Sequence, residues 1–347
     1  MSTADAVAGV LWIGATLYAV FGGADFGAGF WGLIAGDGER GRRARALVDW
    51  AIGPVWEANH VWLIFVLVVL WTGFPLAFES VMSTLFIPLS IAALGIVLRG
   101  SGFAFHKQAA RAGYRVFAER LFGISSILTP FFMGTVVGAI ASGRVPVGNA
   151  EGDPVTSWLN GVSILTGALF VATSAYLAAV FLVSDSRRAG DSELEEYFAR
   201  RALAAAIAAG ALAVGGLFAY RADARHIYDG LTGDALPLVI LSAVCGAGVV
   251  FMLWRGLRRG TRPLAVGAVV AVIWGWGVAQ HPYLLPQSLT ISQGAGNSAA
   301  MDAILIVFGA AVLIVIPSLA FLYTLSQRSI VEAEPPPPGS DTPRSES

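Results

Sequence analysis

The chain has 347 residues, of which 56% are hydrophobic and only 13% are charged, with 22 basic and 23 acidic side chains. A soluble domain usually carries about 25% charged residues, so this composition argues against a soluble enzyme and indicates a membrane protein. The charge balance is near neutral and no basic patch is interleaved with aromatic residues, so nucleic acid is not an expected partner.

Apolar stretches of about 20 residues recur along the chain, and each is long enough to cross a bilayer as a helix. They predict an all-α, polytopic membrane protein with about nine transmembrane helices. We expect residues 1–326 to form one transmembrane helical domain and residues 327–347, which include Pro335 to Pro338, to form a disordered cytoplasmic tail. In chain order the predicted spans cover residues 7–34, 50–73, 77–103, 118–141, 158–183, 201–220, 236–255, 264–283 and 302–326.

Basic residues are concentrated in the connections that follow the odd-numbered spans. The opposite side of the membrane receives only Arg144, Arg221 and Arg225 of the 22 basic residues. Because Lys and Arg concentrate on the cytoplasmic side of membrane proteins, we expect the N-terminus outside and the C-terminus inside. An odd number of spans agrees with this orientation.

Three ionisable residues lie within the first three predicted spans: Asp25, Glu57 and Arg99. With a rise of about 1.5 Å per residue, they are expected roughly 6–14 Å below the cytoplasmic boundary. Charges at such depth usually face the interior of a helix bundle. One interpretation is structural, with Arg99 as the charge partner of one acid in an ion pair that fixes packing. Because one base cannot compensate two acids, the other carboxylate is expected to exchange protons.

Glu57 is the predicted proton exchanger, because Asn59 and His60 follow it in the same helix. Glu57 and His60 are i, i+3 neighbours and so form a path of protonatable groups toward mid-membrane, with Asp25 nearby. His60 has two other interpretations, haem ligation and a hydrogen bond to a neighbouring helix. Two further histidines, His106 and His226, are predicted in loops and the fourth at the outer end of span eight, which argues against a haem site in this chain alone.

Glycines and tryptophans surround these polar residues. Gly23 and Gly27 have the small-xxx-small spacing that lets two helices approach closely. Trp56 and Trp62 flank the polar segment of span two and are typical of core or interface packing.

Four segments carry a family resemblance: GADFGAG at 23–29, GPVWEANHVWLI at 53–64, LRG at 98–100 and HPYLLP at 281–286. They resemble subunit II of the cytochrome bd-type quinol oxidases, over residues 10 to about 325. The last segment and the Glu-Ala-Asn-His form of span two are more similar to the cyanide-insensitive branch than to the enterobacterial type.

The resemblance implies a subunit of a terminal oxidase in the bacterial cell membrane that reduces O2 to water with electrons from quinol. It implies a similarly folded subunit I as the partner, which carries haem b and haem d-type (or b-type) centres, so that this chain holds neither a complete cofactor site nor a catalytic residue. A small single-span accessory subunit, membrane lipid and quinone are further expected partners. Glu57 matches the family's acidic residue on a cytoplasmic proton pathway, with glutamate in place of the commoner aspartate. Trp62 matches a tryptophan associated with an oxygen route.

Two other functions compete with this one. A proton-coupled secondary transporter would use Glu57, but such transporters typically have internal repeats and paired broken helices. The prolines that interrupt the spans of this chain show no such pairing. A self-contained membrane cytochrome would need more than His60 as an axial ligand. Soluble-enzyme motifs such as a P-loop, a dinucleotide fingerprint or zinc-ligand spacing are absent from the sequence.

Overall fold

The computed structural model describes residues 2–52, 56–108 and 112–327. These residues form helices and one short β-hairpin, which confirms the all-α prediction. The predicted tail lies, apart from Gln327, outside the described residues.

Helices follow one another along most of the chain, with the hairpin close to the last of them. In chain order the elements are α1 (Thr3–Leu17), a π-helical segment (Tyr18–Gly22), α2 (Gly23–Leu33), α3 (Glu39–Ile52), α4 (Trp56–Gly73), α5 (Pro75–Thr84), α6 (Phe86–Gln108), α7 (Ala112–Ala141), α8 (Gly161–Arg188), α9 (Ser192–Asp223), α10 (Arg225–Thr232), α11 (Leu236–Trp254), α12 (Thr261–Gln280), β1 (Tyr283–Leu285), β2 (Leu289–Thr290), α13 (Ile291–Gly294) and α14 (Ser298–Gln327).

The described part of the chain contains 6 helical stretches that are long and apolar enough to cross a membrane. The pair Asn59–Gly73 and Pro75–Thr84, which is bent by 118°, gives a seventh if it is counted as one span. Phe86–Gly102 and Ser298–Ile314 are shorter apolar helices. The protein is therefore multi-pass, and the count of nine spans stays a prediction. The 6 stretches are Thr3–Leu33, Phe117–Ala141, Gly161–Arg188, Ser192–Asp223, Leu236–Trp254 and Thr261–Gln280.

The predicted third span, 77–103, is not one continuous helix. The helix breaks at Leu85, which separates α5 from α6 and has φ −104° and ψ 25°. A second break precedes α5, where Phe74 has φ −136° and ψ 62° and Pro75 occupies the start of the helix. Proline has no N–H to continue the hydrogen bonds of α4, so it favours the start of a new helix.

Connections that the charge pattern assigns to one side of the membrane meet at one end of the bundle. Arg43 of α3 forms ion pairs with Asp191 and Glu193 at the start of α9. Arg258, between α11 and α12, forms an ion pair with Glu196 of α9. The connections after the first, fifth and seventh predicted spans therefore lie at the same end of the bundle, and the side of the membrane that this end faces stays a prediction. We call this the basic end.

The core of the bundle includes a close contact between α2 and α8. A Cβ atom on Gly27 would lie 1.9 Å from the carbonyl oxygen of Ser174, so only glycine fits there. Trp31 of α2 donates a 2.8 Å hydrogen bond from Nε1 to the carbonyl oxygen of Ala175. At Gly23 the nearest atom to such a Cβ is 3.6 Å away. The close approach predicted for this glycine pair therefore occurs at Gly27.

Candidate functional site

A buried ion pair joins α2 to α6. Nη2 of Arg99 lies 2.5 Å from Oδ1 of Asp25 and 3.0 Å from the carbonyl oxygen of the same residue. Arg99 is 0% exposed and Asp25 is 4% exposed. Removing one partner of such a pair leaves a buried charge without compensation, so each residue depends on the other. The structure thus brings together two of the candidate site residues.

Two neighbouring helices, α2 and α7, hold the guanidinium of Arg99 in place. Its Nη1 donates a hydrogen bond to Oγ of Ser126 on α7. Its Cζ lies 4.8 Å from the ring centroid of Phe26 and 4.1 Å from that of Phe122, as expected for a planar cation packed on aromatic faces. Gly29 leaves the necessary space, because a Cβ there would lie 2.2 Å from Oγ of Ser126.

The start of α4 lies against the same group of residues. Asn59, which is 8% exposed, donates a 3.4 Å hydrogen bond to the carbonyl oxygen of Phe21 in the π-helical segment. The ring centroid of His60 is 5.9 Å from that of Phe26 and 6.4 Å from that of Tyr18, edge-on in both cases. The Phe26 ring therefore contacts both the guanidinium of the ion pair and the imidazole. We call Tyr18, Asp25, Phe26, His60 and Arg99 the Asp25 cluster.

Tyr18 is the titratable member of this cluster that sequence reasoning missed. Its ring lies against Gly22, where a Cβ would come within 2.9 Å of it. Its hydroxyl is buried and has no hydrogen-bond partner among the described residues, and the same holds for Oδ2 of Asp25. Single π-helical turns occur frequently at functional sites. The spacing of two helical turns between Tyr18 and Asp25 is the signal in the sequence that could have identified the tyrosine.

Glu57 lies in the first turn of α4, next to Trp56, and both side chains lie outside the described part of the structure. The register of α4 is nevertheless described. Position 57 lies one helical turn before Val61, which begins a row of exposed apolar residues, whereas the side chain of Asn59 is buried. This row, the α4 stripe, consists of Val61 (59% exposed), Ile64 (59%), Val68 (50%) and Trp71 (63%).

Trp62 is half-buried and does not belong to the Asp25 cluster. Its ring is edge-on to Phe65 with centroids 6.3 Å apart. Phe65 in turn packs on Phe308 of α14 at 5.9 Å and fills the space beside Gly14 of α1. Through these contacts Trp62 helps to pack α4 against α1 and α14.

The sequence profile of one family, described as cytochrome bd terminal oxidase subunit II, matches residues 3–326. The chain belongs to this family. It is therefore a subunit of a terminal respiratory oxidase, a membrane complex that transfers electrons to oxygen, and the resemblance drawn from the sequence is confirmed.

Relatives of this subunit II are known from two bacilli. The putative cytochrome bd menaquinol oxidase subunit II of Bacillus subtilis (strain 168) is 24% identical over 332 residues, which cover 92% of this chain and 94% of the relative. The cytochrome bd ubiquinol oxidase subunit 2 of the same strain is 26% identical over 226 residues, 64% of each chain. The structure of bd oxidase from Geobacillus thermodenitrificans matches with a TM-score of 0.74 at 25% identity, covering 94% of this chain and 98% of that one.

His60 and His281 of this subunit II do not form a bis-histidine haem site. His60 packs edge-on to two aromatic rings, and Nε2 of His281 lies 4.0 Å from Asp5. Asp5 is about 30 Å from Asp25 along the first helix, so these two imidazoles are far apart. In the described ranges no three His, Cys, Asp or Glu side chains converge as metal ligands would. The loop predictions for His106 and His226 are wrong, since the backbone at these positions is helical in α6 and α10.

Proposed function

We propose that this chain carries protons from the cytoplasmic side to the oxygen-reducing centre of a quinol oxidase. In this proposal it pairs in the membrane with a haem-bearing subunit I, and the pair oxidises quinol and reduces O2 to water. The haem b and haem d-type (or b-type) groups of subunit I supply electron transfer and oxygen reduction when bound. The residues of this chain hold and move protons and support assembly.

The observation that carries the proposal is the composition of the Asp25 cluster. An ion pair that only fixed packing would need no further titratable groups, yet Tyr18 and His60 both lie edge-on to the phenylalanine ring beside it. The hydroxyl of Tyr18 and Oδ2 of Asp25 are buried polar atoms of the kind that ordered water bridges in protein interiors. Neighbouring groups of this type suit proton transfer in short hydrogen-bonded steps.

Each candidate residue receives a role on this route. Glu57 takes up protons near the cytoplasmic boundary, and His60 and Asp25 pass them on. Arg99 is the charge partner that holds the carboxylate of Asp25 in position. Trp56 and Trp62 either line an oxygen route or pack the helices around it.

We place subunit I against the α4 stripe. Protons are consumed where oxygen is reduced, so a route that begins in this chain must end at its surface toward the partner. Glu57 occupies the line of the stripe, and Val61 and Ile64 are exposed directly beyond it. A partner helix that covers this apolar surface would bring its own proton acceptors next to the start of α4.

The orientation and the boundaries of the chain belong to the same proposal. Arg43 and Arg258 form ion pairs with acidic residues at the start of α9, so basic connections gather at one end of the bundle. This supports a cytoplasmic location for the basic end, with the N-terminus outside and the C-terminus inside. Residues 1–326 would then form the transmembrane domain, and 327–347 a cytoplasmic tail. A small single-span accessory subunit, membrane lipid and quinone complete the proposed partners.

The partnership is tested on oxidase purified through a C-terminal tag in mild detergent. We expect haem bands in the reduced-minus-oxidised spectrum and a second polytopic chain identified by its mass. A colourless, solitary chain from cells that produce the oxidase would contradict the pairing.

The proton role is tested with Glu57→Gln and the matched variant Glu57→Asp in the same preparation. Glu57→Gln should keep its haem content but reduce oxygen about tenfold more slowly or worse, because the exchangeable acid is lost. Glu57→Asp should keep most of the rate because the carboxyl group remains. Full turnover in Glu57→Gln would exclude the proposed proton role.

A further inference from the structure

An arginine-lined cleft opens at the basic end, away from the α4 stripe. It is a shallow depression that is widely open to solvent, with a volume of about 300 Å³, and it lies where α8 ends, α9 begins and the chain turns from α11 to α12. Three arginines and one glutamate contribute charge to its lining, which gives a net formal charge of two positive units. The lining residues are Arg187, Glu195, Gly256, Arg258 and Arg259.

The carboxylate in the cleft uses only part of the hydrogen-bonding capacity of the arginines. Oε1 of Glu195 lies 3.1 Å from Nε of Arg187 and 3.6 Å from Nη1 of Arg258, so it holds both guanidiniums in position. Nη2 of Arg258 also pairs with Glu196, so the unused donors of the cleft belong to Arg187 and Arg259. Nη2 of Arg187 is buried and has no acceptor among the described residues. Within the same ranges Arg259, which also lines the cleft, has neither an ion pair nor a side-chain hydrogen bond. The cleft therefore presents donors without acceptors, as a site for an anion does.

The turn that carries two of the arginines is fixed by its backbone. Gly256 ends α11 with φ 72°, and Gly260 precedes α12 with φ 91°. The N–H of Leu257 donates a 2.7 Å hydrogen bond to the carbonyl oxygen of Met252, which closes the last turn of α11. Glycine adopts positive φ without steric penalty, so this short turn holds Arg258 at the cleft without strain.

Apolar surface leads from the cleft toward the membrane. Phe251, Trp254 and Leu257 are 52%, 71% and 54% exposed. The Cζ of Arg255 lies 5.6 and 5.7 Å from the ring centroids of Phe251 and Trp254, an arrangement typical of residues at a membrane interface. In the most apolar 18-residue stretch of each helix, only 17% of α9 and 11% of α11 is buried, so both helices offer surface to acyl chains.

We propose that this cleft binds the phosphodiester headgroup of an anionic phospholipid, with the acyl chains along α9 and α11. The guanidiniums of Arg187 and Arg259 donate hydrogen bonds to the phosphate oxygens, which planar arginine groups recognise well, and Arg258, paired with Glu195 and Glu196, contributes positive charge beside them. Basic pockets between membrane helices bind anionic headgroups in this way. A free phosphate ion would engage the same donors but would leave the apolar surface unused.

The test uses the assembled oxidase in detergent and compares the wild type with Arg187→Gln/Arg259→Gln. Arg225→Gln is the matched control, since Arg225 lies on α10 away from the cleft with its side chain 67% exposed. After delipidation, phosphatidylglycerol or phosphatidylcholine is added at equal concentration and bound lipid is counted by native mass spectrometry. The wild type and the control should retain phosphatidylglycerol roughly fivefold or more over phosphatidylcholine, and the double variant should show no preference.

Equal retention of phosphatidylglycerol by the wild type and the double variant would overturn the proposal. A second arm measures the thermal unfolding midpoint with phosphatidylglycerol and with inorganic phosphate. If inorganic phosphate raises the midpoint of the wild type as much as the lipid does, the cleft is a free-anion site and the lipid assignment is wrong. If the double variant does not assemble, Arg259→Gln alone gives the same comparison, because this side chain has no ion pair in the described part of the chain.

Discussion

The Asp25–Arg99 pair leaves two of its own polar atoms unused. Oδ2 of Asp25 and Nε of Arg99 are buried and have no hydrogen-bond partner among the described residues. Replacing a buried ion pair by apolar side chains of similar volume is often neutral or even stabilising, so a pair kept for packing alone has little advantage. The proposed role in proton transfer accounts for this incomplete hydrogen bonding, because an unpaired carboxylate oxygen can exchange a proton.

Replacing Arg99 by Leu should sharply lower the yield of assembled oxidase. The variant leaves Asp25 in an apolar interior without its counter-charge, which costs about 3–5 kcal/mol for a buried pair. The double variant Asp25→Asn/Arg99→Leu removes both charges and should recover much of the yield. Size-exclusion chromatography and haem content measure both; normal yield and activity in Arg99→Leu would rule out the importance of the pair.

Tyr18→Phe should slow oxygen reduction at least about threefold without changing haem content. The substitution keeps the ring contacts with Phe26 and His60 but removes the buried hydroxyl that we place on the water-bridged route. Tyr176→Phe is the control, because Tyr176 also has a buried hydroxyl without a partner in the described chain but lies in the core around α8. Equal rates in the two variants would remove Tyr18 from the route.

The close contact between α2 and α8 can be tested with two glycine substitutions on α2. Gly27→Ala should destabilise the subunit by about 1–3 kcal/mol, because the added methyl group would meet the carbonyl oxygen of Ser174. Gly23→Ala, one turn earlier on the same helix, has room for its methyl group and should be tolerated. Thermal unfolding midpoints of the two variants in detergent measure the difference; similar midpoints would mean that α2 and α8 do not approach closely at Gly27.

The junction of α3 with α9 has a predicted pH dependence. Burial acts to raise the pKa of Asp191, but hydrogen bonds from Arg43 and from the N–H of Leu194 outweigh it and lower the pKa below its usual range. As the pH falls, Asp191 therefore takes up a proton in the unfolded chain before it does so in the folded chain. The stabilisation of the fold by the Asp191 carboxylate is complete above the unfolded pKa of about 3.9 and is lost as the pH falls through the lower folded pKa.

Asp191→Asn keeps a residue that can cap α9 but removes the charge. Its unfolding midpoint should lie below that of the wild type at pH 7, and the two midpoints should converge below about pH 4, where the wild type loses the contribution. A constant difference across the whole pH range would show that the effect comes from the cap alone.

Across the whole molecule, features that depend on local composition were predictable and tertiary neighbours were not. Apolar length identified the membrane helices, and helix rise placed Asp25 and Arg99 in one layer before any contact was known. Nothing in the sequence indicated that Ser126 and Phe122 of α7 would complete the site, because neighbouring helices in a bundle are not determined by spacing along the chain. The break at Leu85 does have a signal in the sequence, because Pro88 in the first turn of α6 has no N–H to donate to the carbonyl oxygen of Thr84, but the apolar length of residues 77–103 predicted one continuous span.

The placement of subunit I on the α4 stripe gives a prediction for the whole complex. A photo-crosslinking amino acid at Ile64 should attach this chain to subunit I in membranes, because the stripe would be covered by the partner. The same group at Ile207 of α9 should crosslink to lipid only. The two positions are matched, with isoleucines 59% and 57% exposed in the isolated chain, so a difference between them reports on the partner and not on accessibility. Crosslinking to subunit I from Ile207 and not from Ile64 would place the partner on the opposite face and separate Glu57 from the oxygen-reducing centre.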